Sequence, residues 1–217
     1  MTKVGKKLVL ATIISTFGLF VGQSQAATGV FGSYVAIDPD GPGGVGFTFY
    51  GAQQPGPNFL TAFNGLNLGS FYVGDIAQIA GGELLTFKNG GGDVTGAELQ
   101  WRVNPGGSFA AVNLGFTANA TFNDAAGNTF STSGDQKWAQ IASTPNFLSG
   151  LTPGSYTLEV FFRAFTNEGD RYSNNGGSNF IADFEVLAVP EPSTILLLAV
   201  GAGIVYRSRR RITQWVK

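Results

Sequence analysis

The stretch SYTLEVFFRAFTN, residues 155–167, sets Tyr156, Leu158, Val160, Phe162 and Ala164 on one side of an extended chain and Thr157, Glu159 and Arg163 on the other. A period of two is the mark of a strand with one face in a core. The next apolar run, NFIADFEVL from Asn179, repeats it: Phe180, Ala182, Phe184 and Val186 alternate with Ile181, Asp183 and Glu185. The two runs read as a hairpin pair, with NEGDRYSNNGGS as the polar loop between them.

Working outward, shorter runs repeat the theme. VGFTFY from Val45, NFLTAF from Asn58, SFYVG from Ser70 and ELLTFK from Glu83 are bounded by turn residues, and AELQWRV from Ala97 returns through NPGG as FAAVNLGFTANATF. QKWAQIA from Gln136 reads as a further strand or as a loop covering an edge. Glycine stands at 32 of 217 positions, well above ordinary usage, and no internal stretch carries a helical apolar stripe. The expected fold is all-β, a two-sheet sandwich of eight to ten strands over residues 27–188. LTPGSYTLEV, Leu151 to Val160, resembles the corner before a late strand of immunoglobulin-like and fibronectin type III-like sandwiches. That resemblance implies a Tyr156 hydroxyl bonded back across the turn; the plain reading is an ordinary Pro-Gly turn and a core tyrosine.

Residues 1–26 have the three-part layout of a secretory signal peptide: Lys3, Lys6 and Lys7, an apolar run from Leu8 to Val21, then Ser24 and Ala26 before the cut. Signal peptidase and the secretion machinery are the implied partners. Three of the 13 basic residues lie in this segment and five follow Val189, which leaves Lys88, Arg102, Lys137, Arg163 and Arg171 in the middle, whereas 13 of the 14 acids are there. A middle segment acidic by about eight charges argues against nucleic acid or anionic lipid as a partner. With no cysteine and no histidine, histidine-based triads, thiol chemistry and His or Cys zinc sites are excluded. Carboxylate catalysis, oxygen-ligand calcium, or no chemistry remain.

The acids suggest no catalytic pair. A glycosidase needs two carboxylates about 5 to 10 Å apart across a cleft, and here they are scattered beside glycines or on outer faces. DPDGPGG at Asp38 lacks the further ligands of a calcium loop and reads as a turn. No metal and no cofactor are expected. Glu168, Asp170 and Tyr172, with hydrogen-bonding groups beside an aromatic ring at a sandwich tip, are the candidate ligand-binding residues, although turns use the same residue types.

At the other end stands VPEPSTILLLAVGAGIVYRSRRR, from Val189 to Arg211. Ile195, Leu196, Leu197, Leu198, Ala199, Val200, Gly201, Ala202, Gly203, Ile204, Val205 and Tyr206 form a short hydrophobic, transmembrane-type helix, about 18 Å long against the roughly 30 Å of a hydrocarbon core. Extending it backward would bury Glu191 between Pro190 and Pro192. Arg207, Arg209, Arg210 and Arg211 orient it with the basic end in the cytoplasm. As a permanent anchor it is marginal; as a pause in the inner membrane, with the β domain already exported, it agrees with the signal peptide.

Pro190, Glu191 and Pro192, the short apolar stretch and the arginine cluster together resemble the PEP-CTERM sorting signal of exported bacterial proteins. The resemblance covers residues 189–217, and ITQWVK extends past the basic cluster where that signal usually stops. It implies processing near Pro-Glu-Pro by an exosortase, a membrane enzyme of Gram-negative-type bacteria that make exopolysaccharide. The resulting expectation is a non-catalytic protein of the cell surface or extracellular matrix, associated with exopolysaccharide. A carbohydrate-binding module and a carboxylate-dependent hydrolase are the alternatives.

Overall fold

The computed structural model describes residues 27–42, 44 and 46–189. The expected signal peptide, the Pro-Glu-Pro trio, the C-terminal hydrophobic helix and the basic tail lie outside the described residues. Within them the chain is all-β. Its strands are β1 (Ala27–Asp38), β2 (Thr48–Gln53), β3 (Leu66–Tyr72), β4 (Gln78–Asn89), β5 (Val94–Asn104), β6 (Ala110–Asn119), β7 (Phe122–Asn123), β8 (Thr129–Phe130), β9 (Asp135–Gln140), β10 (Gly154–Thr166), β11 (Arg171–Ser173) and β12 (Phe180–Leu187).

Alternation in β10 and β12 becomes burial. Leu158, Val160, Phe162 and Ala164 are fully buried, as are Phe180, Ala182, Phe184 and Val186 to within a few per cent. The two strands pair antiparallel from Gly154 opposite Val186 to Val160 opposite Phe180. The remaining length of β10 takes β11, with Arg163 opposite Tyr172. The expected polar loop is therefore partly a strand, followed by a 3-10 turn at Asn175–Gly177. At the start of β10 the Tyr156 hydroxyl donates to the Thr152 carbonyl at 2.9 Å, and its ring stacks on Phe184.

The strands form one connected path, β2-β1-β4-β9-β6-β5-β10-β12-β3, with β11 on β10 and a separate β7–β8 pair. Curling occurs at β6. Its first half, Ala110 to Leu114, pairs with β5; its second half, Gly115 to Asn119, pairs with β9, with a register shift between Phe116 and Ala118. Val35, Ile37, Ile79, Leu84 and Trp138 from one half of the curl then meet Leu99, Leu158, Val160, Phe162 and Phe184 from the other in a single core. Two separate sheets were expected from strand spacing; one curled sheet is what a strand shared between both halves produces.

β1 carries no period-two signal because both its faces are covered. Ser33 through Ile37 are all buried. On the far side from the main core, Tyr34 and Leu85 pack with Phe122 under Phe31, Phe49, Leu60 and Phe130, a second small core capped by β7–β8. QKWAQIA is β9, an interior strand between β4 and β6, and Trp138 within it is only 7% exposed. NFLTAF is not a strand: it makes one bridge, Ala62 to Gly51, and inserts Phe63 into the core. Where β4 bulges against β1, Gly81 takes a φ of +134°, and a Cβ there would lie 1.9 Å from the Gln140 carbonyl oxygen, so a side chain does not fit.

Candidate functional site

The outer face of the β5–β10–β12–β3 region is built from the alternate residues of the strands that make the core. Register places Asn104 beside Thr157 and Arg102 beside Glu159. On the other side of β10, Thr157 meets Asp183, Glu159 meets Ile181, and Arg163 meets Tyr172. Side chains directly opposite one another are close enough to interact. The row therefore carries polar groups at one end of β10 and aromatic and cationic groups toward the other.

Glu159 organises the middle. Arg102 Nε donates to it at 2.7 Å, Asn104 Nδ2 at 2.6 Å and Asn179 Nδ2 at 2.6 Å, while its side chain is only 8% exposed. Burial alone would raise this carboxyl, but the bonds from Arg102, Asn179 and Asn104 hold it below its ordinary value. Arg163 is held likewise, Nη2 to Glu98 Oε1 at 2.6 Å and Nη1 to Asp170 Oδ2 at 3.6 Å. Arg102 lies 4.3 Å above the Phe109 ring, and Arg163 lies 4.4 Å above Phe165, both within cation–π range.

An aromatic strip crosses this face. Phe109 meets Phe161 edge to face at 5.1 Å between centroids, and Phe161 lies 6.3 Å from Tyr172. Below it, toward the chain exit, a shallow groove of about 550 Å³ is lined by Asn67, Ser70, Asn104, Thr157, Asp183 and Glu185, among others. Amides, hydroxyls and carboxylates thus flank rings that are exposed at Phe109 and Tyr172 and half-buried at Phe161. Chemically the arrangement combines flat apolar surface with hydrogen-bonding groups.

Of the residues singled out in the sequence, Asp170 and Tyr172 come together on this face. Tyr172 is 49% exposed, and its hydroxyl stands 3.5 Å from Asp170 Oδ2. Glu168 is directed elsewhere, accepting from Thr28 Oγ1 at 3.0 Å and lying 3.6 Å from Arg171 Nη2; it ties the β10–β11 turn to β1. Arg102, Phe109, Phe161 and Asn179 escaped the sequence reading. Their signal was present in the polar side of β10, but nothing local said that β5 would lie beside it.

Elsewhere the acids are engaged structurally. Glu83 meets Lys137 at 2.6 Å, both largely buried; burial raises this carboxyl while Lys137 opposes the shift. Tyr34 donates to Asp124 at 2.5 Å, and burial followed by that carboxylate pushes the phenol well up. Among the described residues no three His, Cys, Asp or Glu side chains converge as metal ligands. Among the same residues no helix is long and apolar enough to cross a membrane.

The sheet ends where the C-terminal segment begins. β12 is held between β10 and β3, Leu187 pairs with Tyr72 in the parallel ladder, and Val73 N–H donates to the Leu187 carbonyl at 2.9 Å. Val189 is already 58% exposed. Residues 188–211 match the PEP-CTERM protein-sorting motif. The match takes in Pro190, Glu191 and Pro192, the apolar stretch from Ile195 to Tyr206 and the four arginines. The chain is thus an exported protein, sorted to the cell surface or beyond through processing by an exosortase, a membrane enzyme. No curated protein matches this chain. The PEP-CTERM motif follows β12 directly, its first matched residue, Ala188, standing next to Leu187.

Proposed function

We propose that the chain is a non-catalytic cell-surface or extracellular-matrix protein of a Gram-negative-type bacterium. A signal peptide at residues 1–26 exports it, the PEP-CTERM motif holds it briefly at the inner membrane for an exosortase, and its β domain is then released into or retained by the exopolysaccharide layer. The observation that carries this reading is the match of the sorting motif immediately after the last strand of a folded domain. We read the curled sheet as a sandwich of the immunoglobulin or fibronectin type III kind, which the Tyr156 to Thr152 bond supports.

Absence of catalysis is favoured by how the acids are used. A hydrolytic pair needs one carboxyl free to give its proton and another facing it across the scissile bond. Glu98 and Glu159 are each held by an arginine, and Asp183 and Glu185 stand two residues apart on the outer face of β12, exposed to solvent.

A sharper form of the reading, a carbohydrate-binding module, is favoured by the strip Phe109–Phe161–Tyr172 beside the polar groove. Rings of this kind give flat apolar contact to a sugar face while neighbouring amides and carboxylates bond its hydroxyls. Replacing Pro190, Glu191 and Pro192 together by alanine in the native host tests the sorting step. The expected result is full-length protein retained in the membrane fraction and lost from the surface layer; unchanged release would contradict it.

A further inference from the structure

The two ends of the curled sheet differ in their exposed residues. β1 ends at Asp38 opposite Gln78, the first residue of β4, β2 begins opposite Ile37, and β3 and β12 run parallel to finish together at Tyr72 and Leu187. The turns that follow are stitched to one another. Phe147 N–H donates to the Ala77 carbonyl at 3.0 Å and Ile79 N–H to the Pro145 carbonyl at 3.0 Å. A Cβ on Gly41 would lie 2.6 Å from Ile76 Cγ2, so that loop is in contact as well.

This end exposes Phe47, Tyr72, Val73, Ile76, Ile141 and Val189, each at least 40% accessible. None of the five basic residues of the domain lies in its turns. At the opposite end the turns at Gly90–Gly92, Ser131–Gly134 and Asn167–Asp170 expose no large hydrophobic residue. An exposed apolar patch of several residues on one end asks for a covering surface.

The position of the chain exit says which surface. Val189 is part of the patch, and only Pro190 to Thr194 separate it from Ile195, the first residue of the apolar stretch. Five residues reach at most about 18 Å when fully extended. A stretch about 18 Å long is also shorter than the hydrocarbon core, and short spans draw their flanks toward the interface. Tyrosine together with aliphatic side chains is what an interface accepts, and turns that carry Asp40 and Asp75 but no cation point to contact through the apolar side chains, without attraction to anionic headgroups.

We propose that, while the sorting segment is in the bilayer, this end of the domain docks directly on the lipid surface through Tyr72, Val73, Ile76 and Val189. The inference rests on the sorting reading above. Docking would hold the Pro-Glu-Pro region at the interface in a fixed orientation until it is cut.

The chain has no cysteine, so single labels report cleanly. The full chain is prepared as Val73→Cys, Ser133→Cys and Ala199→Cys, each carrying a polarity-sensitive dye, and reconstituted in phosphatidylcholine vesicles. The expected result is a blue shift and protection from iodide quenching at positions 73 and 199, with position 133 behaving as in buffer. A shift at 199 with position 73 matching 133 would overturn the docking and leave the sorting reading standing. No shift at 199 would remove both.

Discussion

The two sides of β10 place opposite chemistry on successive residues of one strand. Leu158, Val160 and Phe162 are sealed in the core, whereas Glu159, Phe161 and Arg163 between them carry ion pairs and an aromatic strip on the outside. The inner set resembles that of any sheet of this size, and its effect is stability. The outer set is more specific than solubility requires: a solvated face has no need to anchor one carboxylate with three donors.

That contrast can be broken first from the inside. Leu158→Ala removes a fully buried side chain and should cost about 2–5 kcal/mol, read as a lower urea midpoint. Because unfolding is global, binding to exopolysaccharide should change only in proportion to the unfolded fraction. A selective loss of binding with unchanged stability would mean that the core face takes part in recognition.

A smaller effect is expected at the boundary between the two sets. Arg102→Ala leaves Glu159 buried with two amide donors and should cost about 1–3 kcal/mol. The pH dependence follows from the lowered Glu159 carboxyl. Its stabilisation is complete above the ordinary glutamate value of 4.5 and is lost as pH falls through the lower folded value. Glu159→Gln should therefore flatten the acid side of the stability curve relative to the parent chain, measured by urea midpoints from about pH 6 to about pH 3. Glu83, raised by burial, has the opposite sign in both chains and cancels in the comparison. An unchanged acid slope would show that the donors around Glu159 add nothing to folding.

Smallest in stability are the exposed rings. Tyr172→Ala should move the midpoint by no more than about 0.5 kcal/mol, yet weaken co-sedimentation with host exopolysaccharide if the outer face binds sugar. Binding that survives both Tyr172→Ala and Phe161→Ala would leave the face as a structural one.

Legibility in the sequence followed the number of covered faces. β10 and β12 could be read because one side is wet and the other dry, so residue type alternates. β1 could not be read, since Tyr34 and Val35 are both buried but in different cores; continuous burial has no period. β9 was ambiguous for a related reason: its Gln136 is buried as well as its Trp138, so polarity did not mark the outside. Asp170 and Tyr172 were legible as a polar–aromatic pair, whereas Glu168 carried the same composition and was claimed by Thr28, 140 positions earlier in the chain. Phe109 and Arg102 depended on a long-range pairing that composition does not encode. The sorting motif needed no such pairing, because its order is local.

The central claim is that the β domain is complete at Leu187 and that the motif after it is an address to be cut. Intact-mass analysis of the protein recovered from the surface layer of its native host tests this most directly. The account predicts a chain lacking residues 1–26 and ending near Pro190 to Pro192. A surface protein still carrying Lys217 would contradict it.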